Sequence, residues 1–266
     1  MRLKISHKTV YRYDEPVHYA LQQIRLTPRD GAGQKVLSWQ STITGGSHQL
    51  SFDDAFRNHV DLVMTEGVDH LEIHSEGEVE VEDRSGVVGP GLGFAPLWLF
   101  RQSTSVTTAG AQVRKLARDF EKPFQTDQLK AMHDLSVAIA DSVTYTVGST
   151  TPQTTAEESM SLGMGVCQDH AHVLIATVRH LGRPARYVSG YLMMDGVTDQ
   201  DASHAWCEVW LDDLGWVGFD VSNAISPDDR YVRVAVGRDY SDAAPVHGLR
   251  HGTGEEELCV SLQVQQ

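Results

Sequence analysis

Cys167 is the first residue of this chain whose type and position could support chemistry. It follows the segment Gly163-Met164-Gly165-Val166 and stands where a helical pattern begins, over residues 167–181. The positive end of a helix dipole and the unpaired N–H groups of the first turn favour a thiolate at such a position. The same N–H groups can stabilise an oxyanion on an acyl substrate. The alternative is a small buried thiol without a chemical role, so its partners must decide between the two.

Two strands further along the chain could supply a base and a carboxylate. Side chains alternate between two faces in the predicted strand 203–211, which carries His204. If Leu211 and Gly215 flank the turn that follows, Asp220 is the diagonal neighbour of His204, and a shift of one pair places it directly opposite. An imidazole held by a carboxylate keeps one tautomer and acts as a general base toward a thiol. Alone, either residue is more typical of a structural role, but with the helix-start thiol they form a nucleophile, a base and an orienting group.

Several blocks of the sequence follow a known pattern. The thiol lies in Gly165-Val166-Cys167-Gln168-Asp169-His170-Ala171-His172, and the further blocks are Leu181-Gly182-Arg183-Pro184-Ala185-Arg186-Tyr187-Val188-Ser189-Gly190-Tyr191, Ser203-His204-Ala205-Trp206 and Gly215-Trp216-Val217-Gly218-Phe219-Asp220. In order and approximate spacing these blocks resemble the bacterial transglutaminase-like superfamily. The opening of the chain is similar to the β domain that precedes the catalytic domain in one branch of the family, with Tyr11-Arg12-Tyr13 and Gln23-Ile24-Arg25-Leu26-Thr27-Pro28-Arg29. The resemblance covers nearly the whole chain, with a departure at His170, where an aromatic residue such as Phe is expected.

The resemblance implies a papain-like catalytic core with the triad Cys167, His204 and Asp220. In the implied acyl transfer the Cys167 thiolate attacks an amide carbonyl, His204 protonates the leaving amine, and Asp220 orients the imidazole. Water or another amine then resolves the thioester. The family includes cysteine peptidases, amidases and protein cross-linking enzymes. We therefore expect a hydrolase or acyltransferase that acts on amide or isopeptide bonds of a peptide or protein substrate, without a cofactor.

Four more residues are candidates for contacts with the oxyanion or the substrate. The backbone N–H of the cysteine is one oxyanion donor, and Tyr145 or Gln153 could supply a second, with core packing or loop capping as the alternative for each. Asp169 is expected as a carboxylate of the first helical turn, with a substrate contact as the alternative. Trp206 shares the strand face of the histidine and could either form a wall of the cleft or belong to the core.

Two other functions stay open at this stage. An amine acceptor in place of water would make the protein a protein-glutamine cross-linking enzyme with the same triad. A non-catalytic binding module, in which the β domain recruits a partner, would keep the fold without the reaction. The triad residues are all present, which favours an enzyme.

The elements that must position these residues are predicted from periodicity. Residues 1–105 alternate as strands, which predicts an N-terminal antiparallel β domain without a helix of any length. Residues 106–266 form the predicted catalytic domain, in which helices pack on an antiparallel sheet in an α+β fold. Its predicted helices begin near Val113, after a Thr126 cap, after the capping box Thr155-Ala156-Glu157-Glu158 and at Cys167. Its predicted strands cover residues 186–193, 203–211, 215–221 and 258–264. The polar segment 237–246, with Asp239 and Tyr240, is expected to be a solvated surface loop that could border the cleft.

Composition and charge limit the expected partners and compartment. The 266 residues carry 22 Lys and Arg against 36 Asp and Glu, a formal charge of -14, so we expect neither nucleic acid nor a membrane surface as a partner. Three scattered cysteines predict no disulfide framework, and the charged start of the chain lacks the apolar centre of a secretory signal, so a cytoplasmic location is expected. The 13 histidines show no spacing that completes a tetrahedral site, so no metal is expected. The oligomeric state stays open.

Overall fold

The structure is a computed structural model that describes residues 1–91, 93–251 and 254–266. Its strands are β1 (Arg2–Val17), β2 (Tyr19–Ile24), β3 (Gln34–Thr44), β4 (Ser47–Asp53), β5 (His59–Thr65), β6 (Val68–Val81), β7 (Val87–Gly89), β8 (Thr144–Tyr145), β9 (Met164–Gly165), β10 (Ala185–Leu192), β11 (Asp199–Gln200), β12 (His204–Leu211), β13 (Gly215–Phe219), β14 (Tyr231–Gly237), β15 (Val246–His251) and β16 (Glu256–Gln265). Its helices are α1 (Ala111–Thr126), α2 (Gln128–Ser142), α3 (Ala156–Leu162), α4 (Cys167–His180) and α5 (Tyr240–Ala243), with a short 3-10 helix at Leu99–Arg101. Among the described residues, no helix is both long and apolar enough to cross a membrane.

Two antiparallel sheets form the N-terminal layer of the molecule. The strand order is β11-β16-β1-β6-β3 in one sheet and β15-β2-β5-β4 in the other. Buried and exposed side chains alternate along β1 and β6, because each strand turns one face toward apolar neighbours. The core between the two sheets contains Tyr11, Ile24, Val63 and Ile73. The predicted antiparallel β architecture is confirmed.

Strand pairing crosses the predicted domain boundary at residues 105 and 106 in both directions. The C-terminal strands β15 and β16 pair with β2 and β1, so the end of the chain completes the N-terminal sheets. In the opposite direction, β7 pairs with β13 of the sheet that carries the candidate site. The division into 1–105 and 106–266 therefore stays a prediction.

The third sheet carries the candidate site and is covered on one face by helices. Its strand order is β14-β10-β12-β13-β7, with antiparallel pairs throughout. Helix α4 packs against β10 and β12 and also contacts α1, α2 and α3. Helix α4 is buried around most of its circumference, because neighbours cover it on several sides. Its buried residues include Ala171, Leu174 and Val178. The predicted α+β arrangement is confirmed.

Local signals set the helix starts, with one correction. Thr155 caps α3 and exchanges hydrogen bonds with Glu158, as the capping-box pattern predicts. Helix α2 is capped by Asp127, whose carboxylate accepts a hydrogen bond from the Lys130 backbone N–H at 3.0 Å. The predicted Thr126 cap is wrong, because Thr126 is the last residue of α1. The adjacent Asp127 is an equally good capping residue, and its backbone has the extended conformation that a cap requires.

Two side-chain amides from the N-terminal layer close the edge of β14, a strand that the sequence analysis does not predict. Gln34 donates to the Arg233 carbonyl at 2.9 Å and accepts from the Arg233 N–H at 2.8 Å. Asn58 does the same with Val236, at 2.7 Å and 2.8 Å. These pairs satisfy backbone groups that an edge strand otherwise leaves open, and they hold the N-terminal layer against the third sheet.

Candidate active site

The sulfur of Cys167 is placed by the way α4 begins. Val166, in extended conformation, precedes the helix, and its N–H donates to the buried Asp169 carboxylate at 2.8 Å. The Thr150 hydroxyl donates to the same carboxylate oxygen at 2.6 Å. Gly165 is required here, because a Cβ on it would lie 2.6 Å from Asp169 Cβ. Asp169 is thus turned toward the backbone that leads into the helix, and Cys167 stands at the helix N-terminus with partial exposure.

The β12–β13 hairpin brings His204 and Asp220 together. Leu211 pairs with Gly215, which is the first of the two registers considered from the sequence and makes Asp220 the diagonal neighbour of His204. His204 Nε2 lies 2.7 Å from Asp220 Oδ2. The Cys167 side chain acts on the pKa of His204 as well, so it lies within short range of the imidazole. The structure therefore brings the three residues together, although they come from a helix, a strand and a strand end.

The electrostatics of these three residues favour a protonated imidazole. Burial lowers the pKa of His204, but the hydrogen bonds and negative charges of Asp220 and Cys167 outweigh it and raise the pKa from 6.5 to about 10. Burial raises the pKa of Asp220, and the hydrogen bond and positive charge of His204 outweigh this and lower it. At neutral pH the carboxylate is ionised and the imidazole is positively charged.

Tyr231 and Asn223 hold Asp220 in place, and the sequence analysis missed both. The Tyr231 hydroxyl donates to Asp220 Oδ2 at 2.7 Å, and Asn223 Nδ2 donates to the same oxygen at 2.7 Å. Burial and the neighbouring Asp220 charge raise the pKa of Tyr231, so the phenol remains a donor. Tyr231 opens β14, whose alternating residues 231–237 were a strand signal that could have led to it. The carboxylate that orients His204 is itself oriented by two donors.

Trp206 supports the imidazole from behind. Its ring lies 6.2 Å from the His204 ring in a stacked arrangement and 5.4 Å from the Tyr231 ring in an edge-on arrangement. Gly190 pairs with His204 on the neighbouring strand, where a Cβ would lie 2.6 Å from the Trp206 ring. Trp206 is only 3% exposed, so it shares the strand face of His204 as predicted and is packed behind it. A role as a wall for substrate stays a prediction.

Of the two candidates for a second oxyanion donor, Tyr145 lies near the thiol, and Gln153 lines a depression beside α3. Tyr145 pairs with Gly165 in the short β8–β9 ladder, beside the backbone that leads into α4. Burial raises its pKa first, followed by the charges of Cys167 and Asp220, which act on it only at short range. The side chain is half exposed and keeps its proton at neutral pH. Gln153 lies in a separate surface depression formed with residues of α3.

His170, the departure from the expected aromatic residue, is a buried connection between elements of the site. Its Nε2 donates to the Val143 carbonyl at 2.7 Å, and its Nδ1 accepts from the Ser222 hydroxyl at 2.8 Å. Burial lowers its pKa, so the ring is neutral and can play both roles. The imidazole therefore links α4 to the loop that follows Asp220, where an aromatic ring would only pack.

Asp239 and Tyr240 are not part of a solvated loop, and that expectation is wrong. Asp239 is buried and accepts from the Ser241 N–H at 2.9 Å, which starts the short helix α5. The Tyr240 N–H donates to His172 Nε2 at 3.2 Å. Burial lowers the pKa of His172 to about 4, so this ring is neutral and accepts. The segment is held by α4 through polar contacts that its composition does not reveal.

Two family models match the chain. The bacterial transglutaminase-like N-terminal region matches residues 3–80, and the transglutaminase-like superfamily matches residues 114–221. The second match contains Cys167, His204 and Asp220. The two matched regions follow each other in the order that the sequence analysis expects.

Similarity to known proteins extends over the full length of the chain. An uncharacterized protein of Mycobacterium bovis is 30% identical over 292 residues, which cover 99% of this chain and 92% of the relative. An uncharacterized protein of Mycobacterium leprae is 26% identical over 289 residues, with coverage of 99% and 98%. The solved structure of a "Putative Cysteine Protease" from Cytophaga hutchinsonii has the same fold, with a TM-score of 0.74 at 22% identity and coverage of 100% of this chain and 98% of that one. From the matched regions and the relatives together, the chain belongs to the transglutaminase-like superfamily.

Proposed function

We propose that this protein is a cysteine-dependent hydrolase that cleaves amide or isopeptide bonds through a thioester on Cys167. The observation that carries the proposal is the position of His204, which is hydrogen-bonded to the Asp220 carboxylate at 2.7 Å and lies within short range of the Cys167 side chain. Membership of the transglutaminase-like superfamily supports a thiol-dependent hydrolase or acyltransferase. The name of the Cytophaga hutchinsonii structure agrees with cleavage of a peptide bond by a cysteine.

Acylation starts from a Cys167 thiolate beside the His204 imidazolium. The sulfur forms a bond to the carbonyl carbon of the substrate, and the π electrons of the carbonyl move to its oxygen. When the carbonyl re-forms, the C–N bond breaks and the imidazolium gives its proton to the departing amine. This half-reaction leaves a thioester on Cys167, a free amine and a neutral imidazole.

Deacylation returns the site to its starting state. Neutral His204 removes a proton from a water molecule as the water oxygen forms a bond to the thioester carbonyl. The C–S bond then breaks, and the acid product leaves. The thiolate and the imidazolium are regenerated, so no oxidant, reductant or cofactor enters the balance. An amine in place of water gives an amide product by the same steps, which is the cross-linking alternative.

Three groups act on charges that change during these steps. Asp220 fixes the ring orientation of His204 and stabilises its positive charge at 2.7 Å. The Cys167 backbone N–H, at the first position of α4, has no partner within the helix and is the first oxyanion donor that we propose. The protonated Tyr145 hydroxyl is the second donor that we propose, because it lies beside the thiol and is still accessible.

The proposal is tested by measuring acyl-transfer activity and its dependence on the sulfur atom of Cys167. The purified protein is incubated with a library of peptides that contain backbone amides, glutamine amides and lysine isopeptides, and products are identified by mass spectrometry. Hydroxylamine is added in parallel, because it converts a thioester into a hydroxamate. We expect cleavage products and hydroxamates from the wild type and neither from Cys167→Ser or His204→Gln.

Cys259→Ser is the matched control, because it removes the same atom at an exposed position of β16. It should retain full activity. Cleavage that survives in Cys167→Ser, or that is lost equally in Cys259→Ser, would overturn the proposal. A reaction that proceeds only when a fluorescent amine is supplied, with incorporation of that amine and no acid product, would replace hydrolysis by cross-linking.

A further inference from the structure

The segment of residues 144–152, which we call the cleft wall, runs beside the start of α4. Its Thr146 N–H donates to the Gly165 carbonyl at 2.7 Å. Its Thr150 hydroxyl donates to the Asp169 carboxylate at 2.6 Å. These two partners precede and follow the candidate nucleophile in the sequence. The cleft wall is therefore fastened on both sides of the residue that carries the thiol.

Between these two anchors the chain makes a tight turn. The Ser149 N–H and hydroxyl both donate to the Thr146 carbonyl, at 3.4 Å and 2.7 Å. Gly148 has a φ of 76°, in the left-handed region that glycine adopts without strain. The turn places Val147 at its tip, where the side chain is 82% exposed. Because the turn is fastened at both ends, it presents this valine to solvent beside the candidate site.

Two other apolar side chains adjoin the same place. Tyr145 is half exposed, and burial and then the charge of the nearby Cys167 raise its pKa. Met164 is also exposed and pairs with Thr144 of the cleft wall in the β8–β9 ladder. Single apolar residues are common on protein surfaces, but a group of them at the edge of a reactive site is typical of a binding surface. A ligand that covers them removes apolar surface from water.

The sequence around the site is free of charge on two sides. Residues 142–156, which include the cleft wall, contain no Asp, Glu, Lys, Arg or His. The same holds for residues 221–227, which follow Asp220 and hold it through Asn223. In the chain as a whole, 22% of the residues are charged. A charged substrate side chain that lies against either segment loses hydration and finds no ionic partner there.

We propose that the cleft wall selects substrates whose side chains on the acyl side of the scissile bond are apolar, with Val147 as the specificity-determining residue. This inference rests on the proposed function, which places the reacting carbonyl at Cys167. His204 protonates the departing amine and therefore faces the amine part of the substrate, which leaves the cleft wall to the acyl part. An apolar side chain there covers the exposed valine, whereas a charged one is desolvated without compensation.

Labelling of Cys167 by peptide electrophiles tests this inference without requiring turnover. The probes are three N-acetyl dipeptidyl chloromethyl ketones, in which the two residues before the reactive carbon are both Leu, both Lys or both Glu. The sulfur forms a bond to the methylene carbon and chloride leaves, so mass spectrometry gives a labelling rate for each cysteine. Cys259, exposed on β16, is the internal reference. We expect the ratio of the Cys167 rate to the Cys259 rate to be about tenfold higher or more for the Leu probe than for either charged probe.

Three substitutions of exposed valines sharpen the test. Val147→Glu places a carboxylate at the tip of the cleft wall, and Val137→Glu is the matched control on the exposed face of α2. In Val147→Glu the preference for the Leu probe over the Lys probe should shrink about threefold or more, because the Lys probe gains an ionic partner and the Leu probe loses an apolar contact. Val137→Glu should keep the wild-type preference. Val147→Leu should keep it as well, because the side chain stays apolar.

Four outcomes would overturn the inference. In the wild type these are equal rate ratios for the three probes, or no labelling of Cys167 by any of them. In the variants they are a wild-type preference in Val147→Glu, or a change of the same size in Val137→Glu. Failure here is distinguishable from failure of the proposed function. Absence of cleavage products and hydroxamates removes the hydrolase while labelling still reports on the cleft wall, and equal labelling removes the selectivity while cleavage still supports the hydrolase.

Discussion

The substitution Asp220→Asn removes one negative charge from the candidate site and keeps the size of the side chain. In the wild type, His204, Asn223 and Tyr231 all donate hydrogen bonds to Asp220 Oδ2, each at 2.7 Å. An amide oxygen can accept only part of this set and carries no formal charge. The substitution therefore weakens the support of the His204 positive charge, while the backbone of the hairpin has no reason to move.

The magnitude follows from the pKa of His204. Its rise from 6.5 to about 10 corresponds to roughly 5 kcal/mol in favour of the imidazolium, after burial has been overcome. Asp220 contributes a hydrogen bond and a charge to that rise. One charge-assisted hydrogen bond is worth about 1.5–3 kcal/mol, so its loss lowers the ratio of imidazolium to imidazole roughly 10- to 150-fold. The pKa of His204 moves down, and the imidazolium is lost at a lower pH than in the wild type.

The three cysteines of the chain allow this to be measured within one molecule. Cys167 is partly exposed, Cys259 is exposed, and Cys207 is buried with its pKa raised by that burial. Iodoacetamide labelling at a series of pH values, read by mass spectrometry for each site, gives three rates. We expect Cys167 to react ahead of Cys259, because Cys167 stands at a helix N-terminus beside the positively charged His204, and we expect Cys207 to remain unlabelled. In Asp220→Asn the pH at which Cys167 loses its lead over Cys259 should fall by about one to two units.

The control is Asp212→Asn, which makes the same chemical change at an exposed turn residue between β12 and β13. It should leave the ratio of the Cys167 and Cys259 rates as in the wild type. The reasoning is refuted if Asp220→Asn leaves the pH dependence of that ratio as it is in the wild type. It is equally refuted if Cys167 and Cys259 react alike in the wild type.

Three further predictions concern the surroundings of the triad. Tyr231→Phe removes one hydrogen-bond donor to Asp220 and should lower kcat about tenfold at an unchanged KM. The acidic limb of the pH–rate profile should move to higher pH, because the lost hydrogen bond lowers the pKa of the Asp220 carboxyl group in the wild type. Glu208→Gln leaves two arginines without their buried partner and should cost about 3–5 kcal/mol in the free energy of unfolding by urea denaturation. His204 contributes fully to the free energy of unfolding below its unfolded pKa of 6.5, and this contribution is lost as the pH rises toward about 10. Over that interval the wild type should therefore lose more stability than His204→Gln. Denaturation at several pH values measures the difference.

Each of these predictions has a control and an outcome that contradicts it. Tyr191→Phe removes a buried hydroxyl that bonds to His7 at 3.0 Å, so an equal loss of kcat there would make Tyr231 merely structural. Glu121→Gln on the exposed part of α1 should change stability by about 0.5 kcal/mol or less, and a similarly small change for Glu208→Gln would contradict the buried ion pair. Parallel stability curves for the wild type and His204→Gln would contradict the raised pKa.

Much of the local structure could be predicted from the sequence because its signals are short-range. Alternation of apolar residues predicts β1 and β6, and the Thr155 capping box predicts the start of α3. The start of α4 at Cys167 follows from helix signals a few residues long, whereas the turn signals leave two hairpin registers open between His204 and Asp220, and the structure has the first of them. The Thr126 cap failed because two adjacent residues can both cap a helix, and spacing does not choose between them.

The sequence by itself therefore determined the order of the candidate triad residues and the elements that carry them, because periodicity, caps and turns depend on neighbouring residues. Its motifs also determined the superfamily. The tertiary structure alone decided which distant groups meet. It brought Tyr231 to Asp220, sealed the edge of β14 with Gln34 and Asn58, and returned β16 to β1. It also fastened the cleft wall beside the start of α4. Such contacts form between residues that are far apart in the sequence, when distant strands pair and distant side chains are buried together. No local sequence pattern encodes which strand edges and which sheet faces will meet.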